Sequence, residues 1–263
     1  MKSVIIKRVL CLIIFMGGAL AQRTYTTKFP KAETPLSENH NWINQGTCAD
    51  SALCRGAGGS NINSSTGVAH GTQSGAAPPP YLDSGAIVGG TWGPSQMVRI
   101  VVNWDGNGNT NNNYDETEIR LRNTFSNGHG QGYNINCRTG TPNSNSYVQM
   151  GRFNPNGTFT SPFAQASGKN AGCTNGDVLT GAVVNNARGQ PVISFYRNGV
   201  LIIQGTDTGG AAAIQSGSPG FGFYHQCASQ PCGGSNGSNT DFGISSFFAS
   251  DLAPPSGLTA VVH

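Results

Sequence analysis

Charge is what this chain has least of: Asp, Glu, Lys and Arg together make up 10% of its 263 residues. So thin a supply argues against a helical or cytosolic protein. Long apolar runs are missing too. The run from Val9 to Met16 falls well short of the roughly 20 residues a spanning helix needs, so no membrane span is expected. There is no C-x-x-C pair, no visible internal repeat and no convincing helix of three turns. None of His40, His70, His129, His225 and His263 has a Ser, Cys or Asp at motif spacing, so nucleophilic catalysis has no support.

What is present begins at the N-terminus. Lys2, Lys7 and Arg8 precede the apolar run, and Ala19-Leu20-Ala21 follow it. This pattern describes a secretory signal peptide over residues 1–21, cleaved before Gln22. The protein is therefore expected to be secreted, in the extracellular space or the periplasm. Three of the 15 Lys+Arg and none of the 12 Asp+Glu lie in that leader, so the mature chain is formally neutral. With no basic stripe to collect phosphates, nucleic acid is a poor partner.

Gly numbers 38 and separates short β-prone runs, which indicates an all-β protein. Two such runs flank Asn198-Gly199, a pair that accepts the positive φ of a type I′ hairpin turn. Further strands are expected at Tyr25–Phe29 and Asn41–Asn44, and near 86–88, 97–104, 117–123, 132–138, 146–153, 158–163, 178–184, 200–204, 219–225 and 241–248. Residues 56–80, rich in Gly, Ser, Asn and Ala, read as a surface excursion within one domain over 22–252. Residues 253–263 read as a Pro-rich tail, and the domain as a monomer. Along 116–122 and 133–138, Thr117, Ile119, Leu121, Tyr133, Ile135 and Cys137 alternate with polar residues. Successive strands thus each show an apolar and a polar face, as an antiparallel sheet covering a core on one side requires.

Six cysteines remain after the leader: Cys48, Cys54, Cys137, Cys173, Cys227 and Cys232. An even count in an exported chain reads as disulfides, and six permit about 15 connectivities. Cys48–Cys54 and Cys227–Cys232 are close enough to pin small loops, leaving Cys137–Cys173. Zinc is the rival reading, with His225 beside Cys227.

The polar face carries the candidate chemistry. Glu118, Arg120 and Arg122 on one strand, Asn134, Asn136 and Arg138 on the next, and Arg152 beyond them could bond sugar hydroxyls or a uronate. The alternative is a solvated outer face with weak Glu–Arg pairs. Trp92, between Gly89-Gly90 and Gly93-Pro94, is a loop platform on which a sugar ring could stack. Asp105, Asn107, Asn109 and Glu116 loosely follow the oxygen-ligand spacing of a calcium loop, so a structural calcium stands beside the reading of a plain hairpin loop.

The opening strands with Trp42, Gly93-Pro94-Ser95-Gln96, Tyr147-Val148-Gln149, the Asn198-Gly199 hairpin and Gly220-Phe221-Gly222-Phe223 carry a resemblance. In this order, over about residues 25–250, they resemble exported concanavalin A-like (laminin G-like) domains. That resemblance implies a two-sheet antiparallel jelly-roll sandwich and a non-catalytic module binding a polysaccharide or surface glycan. Two enzymatic alternatives exist on this fold. Thr117-Glu118-Ile119-Arg120 resembles a strand of jelly-roll alginate lyases, although Glu116 and Met150 replace an Arg and a His of that pattern. Glycoside hydrolases of this fold use an "E-x-D-x-x-E" strand; Asp115-Glu116-Thr117-Glu118 offers carboxylates, Glu116 and Glu118 on one face, without that full spacing. A protein-binding adhesion module is the third possibility.

Overall fold

The computed structural model describes residues 23–46, 59–73, 83–106, 114–126, 129–154, 158–226 and 238–251. The expected signal peptide and C-terminal tail, Asn107, Asn109 and the cysteines at 48, 54, 227 and 232 lie outside the described residues. Sixteen strands and one 3₁₀ turn, at Gly210–Ala212, make up the ordered elements described. In chain order the strands are β1 (Thr24–Thr27), β2 (Trp42–Asn44), β3 (Gly59–Ser60), β4 (Ile62–Ser65), β5 (Val68–Gly71), β6 (Asp83–Val88), β7 (Gln96–Trp104) and β8 (Tyr114–Ser126). They continue with β9 (His129–Thr139), β10 (Tyr147–Phe153), β11 (Phe159–Ser167), β12 (Val178–Asn185), β13 (Pro191–Arg197), β14 (Val200–Thr206), β15 (Ser218–Gln226) and β16 (Phe242–Ser250).

These strands form two eight-stranded sheets. The first runs β14-β13-β12-β7-β16-β5-β4 with β1 added on β16. The second runs β11-β10-β9-β8-β15-β6-β2 with β3 added on β6. Every pairing is antiparallel except β3 with β6. The fold is the expected all-β, two-sheet sandwich. At the β13–β14 turn, Asn198 and Gly199 have φ of 52° and 81°, the two positive values that the hairpin chemistry calls for.

Period-2 alternation supplies the core. From the first sheet, Val98, Ile100, Val102, Leu179, Ile193, Phe195, Ile244 and Phe247 are buried. They belong to one apolar cluster with Ile119, Leu121, Ile135, Val148, Phe221 and Phe223 of the second sheet. Trp42 sits edge-on to Phe221 and Phe247, at 5.1 and 4.9 Å between ring centroids, and so joins the two layers.

The excursion at 56–80 is ordered where it is described: 59–73 contains β3 and the β4–β5 hairpin. Composition concealed these strands because Gly, Ser and Asn carry little β-propensity. Only Ile62, Ser64, Ala69 and Gly71 turn inward, so the apolar signal is sparse. Cys137 and Cys173 are neighbours but both are free, buried thiols. The expected Cys137–Cys173 disulfide is therefore not formed. Instead the Cys173 thiol donates to the Cys137 carbonyl at 3.4 Å, and burial followed by the thiol contact with Cys173 pushes the Cys137 pKa up.

The layers approach closely at Gly181 on β12, where an added Cβ would lie 2.7 Å from Ile119 and 2.8 Å from Ile135. Gly181→Ala should cost about 1–3 kcal/mol through overpacking. The expected outcome is a lower urea midpoint with an unchanged m-value.

Candidate functional site

The outer face of the second sheet, directed away from the core, holds the polar constellation. In register, Glu116, Glu118 and Arg120 of β8 stand opposite Arg138, Asn136 and Asn134 of β9. On the other side they stand opposite Tyr224, Gly222 and Gly220 of β15. Gly85 of β6 pairs with Gly222, and Gln149 of β10 pairs with Asn136.

The glycines let the long side chains lie down. A Cβ on Gly222 would come within 2.5 Å of Glu118 Oε2 and 2.6 Å of Arg120 Nε, and one on Gly85 within 2.8 Å of Arg120 Nη1. Arg120 crosses β15 and β6 in the space that two side chains would otherwise fill.

That face is closed, which sets aside the alternative of a solvated one. Arg120 and Asn134 are 0% exposed, Glu118 1%, Arg138 6% and Asn136 7%. Arg120 donates through Nη2 to Glu118 Oε2 at 2.9 Å and through Nη1 to Gln45 Oε1 at 2.9 Å, with Asp83 at 3.6 Å. Phe125 covers the guanidinium at 5.7 Å. Asn134 Nδ2 donates to Glu118 Oε2 at 3.2 Å.

The buried atoms on this face without a hydrogen-bond partner include Glu118 Oε1, Arg120 Nε, Asn134 Oδ1 and Asn136 Oδ1. Unpaired buried polar atoms are costly and rare in native proteins. Along β10, Tyr147 and Gln149 are half-buried and mark the more open margin.

The carboxyl groups here are electrostatically unusual. Burial, reinforced by Glu118, raises Glu116 to about 8, while a hydrogen bond from Tyr147 and the charge of Arg138 pull the other way. Burial and the Glu118 charge raise Asp83 well above the carboxylate range. Burial also raises Glu118, against Arg120.

Two predicted members leave the site. A register shift between Leu121 and Thr124, with Arg122 at φ 51°, breaks the alternation and turns Arg122 away from Glu118 and Arg120. Its guanidinium donates to the Pro94 and Ile214 carbonyls and to Asn185 Oδ1 at 2.6–2.8 Å, and its backbone N–H to Gln96 Oε1. Because Gln96 and Asn185 belong to the first sheet, Arg122 braces the two layers. Arg152 stands opposite Tyr133 on the inward face, where its Nη1 and the Tyr133 hydroxyl both donate to Asp207 Oδ2, at 2.5 and 2.8 Å.

Trp92 is no platform either. It is 6% exposed, its Nε1 donates to the Val88 and Gly89 carbonyls, and Arg23 covers its ring at 4.5 Å. Of the calcium set, Asp105 follows β7 and the Glu116 carboxylate receives the Tyr147 hydroxyl on the outer face, while Asn107 and Asn109 lie outside the described residues. Among the described residues no three His, Cys, Asp or Glu side chains could hold a metal.

Sequence reasoning missed Asp83, Gln45 and Tyr224 as neighbours of the site. One local signal existed: glycine at alternate positions in Gly220-Phe221-Gly222-Phe223 marks a strand whose outer face is left for a neighbour's side chains. A concavity lined by Tyr25, Lys31, Glu33, Glu38, Asn39 and Asn41 lies elsewhere on the molecule. There the Glu38 carboxylate accepts from Tyr25, Thr27 and Trp42.

No protein-family model and no curated protein matches this chain. Among solved structures, the endo-1,3-beta-glucanase of Streptomyces sioyaensis is similar at a TM-score of 0.50 and 13% identity, over 88% of this chain and 96% of that one. A mutant of the carbohydrate recognition domain of Emp46p reaches 0.51 and 11%, over 88% and 97%. Its metal-free form reaches 0.50 and 12%, over 88% and 97%. At such identities the likeness concerns architecture, and the chain has the concanavalin A-like jelly-roll fold.

The raised pKa of Glu116 makes stability depend on pH. Its native value of about 8 exceeds the ordinary 4.5, so between those values the native state binds an extra proton. Stability should therefore fall as pH rises through that window, by up to about 1.4 kcal/mol per pH unit. Glu116→Gln should flatten the fall and make the protein more stable than wild type at pH 8.5, as read from urea midpoints at pH 5, 7 and 8.5. Arg122→Met, which strands three acceptors, should lower stability at every pH in the same measurement, by about 1–3 kcal/mol for each acceptor left buried and unpaired.

Proposed function

We propose that this protein is an exported carbohydrate-binding module, residues 22–252 after loss of the leader, that recognises a polysaccharide or surface glycan. Its site is the outer face of the second sheet, through Glu118, Arg120, Asn134, Asn136 and Arg138. The observation that carries this reading is the convergence of Glu118 Oε1, Arg120 Nε, Asn134 Oδ1 and Asn136 Oδ1, buried and unpartnered, on one face. A saccharide, which both donates and accepts through each hydroxyl, supplies the partners they lack. The margin at Tyr147 and Gln149 gives the approach. The fold is shared with proteins named as a glucanase and a carbohydrate recognition domain, which supports the same substrate class. A protein-docking role has less behind it. Among the described residues the exposed large apolar side chains are Ile43 and Val200, which lie on different sheets.

One observation favours hydrolysis as a second reading. Glu116 keeps its proton at neutral pH two residues from Glu118, which Arg120 contacts at 2.9 Å. A carboxyl group held protonated close to a second one is a pairing that acid–base cleavage of a glycosidic bond uses.

The test is a glycan array followed by calorimetry on the purified protein. Asn136→Ala and Gln149→Ala, placed near the open margin, should each weaken binding by roughly 2–10-fold, the worth of a hydrogen bond. Failure of every glycan to bind the folded protein would sink the proposal. Release of reducing ends that Glu116→Gln abolishes would replace it with the hydrolytic reading.

A further inference from the structure

We propose that the outer face of the second sheet recognises the end of a glycan chain: a terminal sugar and its neighbour enter, and the rest of the saccharide stays outside. This rests on the glycan-binding reading and deepens it by naming the part of a glycan that the site takes.

The first observation is how cover is distributed along the sheet. In register, Gln165 of β11, Gln149 of β10, Asn136 of β9, Glu118 of β8, Gly222 of β15 and Gly85 of β6 form one row. Gln165 is exposed and Gln149 half-buried, whereas Asn136 falls to 7% exposure, Glu118 to 1%, and both glycines are buried. The adjoining row repeats the trend. Ser167 is exposed, its partner Tyr147 is half-buried, and Glu116, which accepts from the Tyr147 hydroxyl, is buried. Among the described residues, access therefore comes in over β11 and β10 and is lost by β8.

The second observation is what lies beyond Glu118. A polymer that ran through the site would need a second opening there. Instead the Arg120 side chain fills the floor over Gly222 and Gly85, Phe125 covers its guanidinium, and Gln45 holds its Nη1. Gln45 and Asp83 are buried themselves. Farther on, at β2, the exposed side chain is Ile43, paired with the buried Ile87, and neither offers a sugar a side-chain hydrogen bond.

The third observation is where the unmet hydrogen bonds are. Glu118 Oε1, Arg120 Nε, Asn134 Oδ1 and Asn136 Oδ1 all belong to the covered strands β8 and β9. From β10 to β8 is a distance of about 10 Å, or about two sugar rings. A terminal unit carries a hydroxyl where an internal one has a glycosidic oxygen that can only accept. Chain ends are also the part of a polymer that can enter a site open on one side.

The experiment is calorimetry at pH 7 with ladders of one to six units of β-1,3-glucan, β-1,4-glucan, α-1,4-glucan, β-1,4-mannan and β-1,4-mannuronan. In the series that binds, affinity should rise from one unit to two and then by less than about threefold up to six. On the corresponding polymer, capacity for protein should follow chain ends, so that halving the mean length at constant mass roughly doubles it. Gln149→Trp, which narrows the entrance, should weaken every length by about tenfold with an unchanged circular dichroism spectrum. A larger rise from two units to six, or a capacity that follows mass, overturns the chain-end inference while leaving glycan binding intact. Affinities that Gln149→Trp does not move overturn the assignment to this entrance. If no ladder binds the folded protein, the glycan-binding reading falls, and the chain-end inference with it.

Discussion

The ion pair between Glu118 and Arg120, 2.9 Å long and with both side chains all but removed from solvent, constrains the whole second sheet. Burying a guanidinium and a carboxylate costs several kcal/mol per ion before their attraction is counted. The surroundings are arranged accordingly. Gly85 and Gly222 clear a path for Arg120 across two strands, Gln45 caps one of its nitrogens, and Asn134 donates to the carboxylate oxygen that Arg120 also uses. The same closure raises Asp83 and Glu116 far above ordinary carboxyl acidity. Strand composition, glycine placement and proton affinity therefore follow from one closed polar layer on the side of a sheet where solvent would ordinarily lie.

The sandwich itself is held on the opposite side. Trp42, Phe221 and Phe247 interlock across the layers, and Gly181 permits the close approach of β12 to Ile119 and Ile135. Arg122 adds a polar brace between the sheets, made possible by the irregularity after Leu121 that swings it out of the row occupied by Glu118 and Arg120. The two arginines, two positions apart on one strand, thus perform unrelated tasks: Arg120 shapes the candidate site, and Arg122 ties the layers that support it.

Much of this was legible in the residues. The hairpin at Asn198-Gly199, the inward rows Val98-Ile100-Val102 and Ile119-Leu121, and the grouping of Glu118, Arg120, Asn134 and Asn136 on one face follow from local turn chemistry and a period of two. The rule fails wherever the backbone departs from that period. It misplaced Arg122 because a bulge is invisible to alternation. It misplaced Arg152 because polarity was taken to mean an outward direction, while Asp207, distant in sequence, provides a partner within. It overlooked β3, β4 and β5 because Gly, Ser and Asn strands are recognised by the partners they pair with.

By itself, then, the chain determined an all-β sandwich and the membership of its polar row, since both depend on chemistry between near neighbours. Whether that row stands in water or is sealed, which of its atoms are left unpaired, and that Cys137 and Cys173 meet as thiols depend on segments far apart in sequence. Only tertiary packing decides such matters, because exposure and hydrogen-bond satisfaction are properties of what lies across the gap.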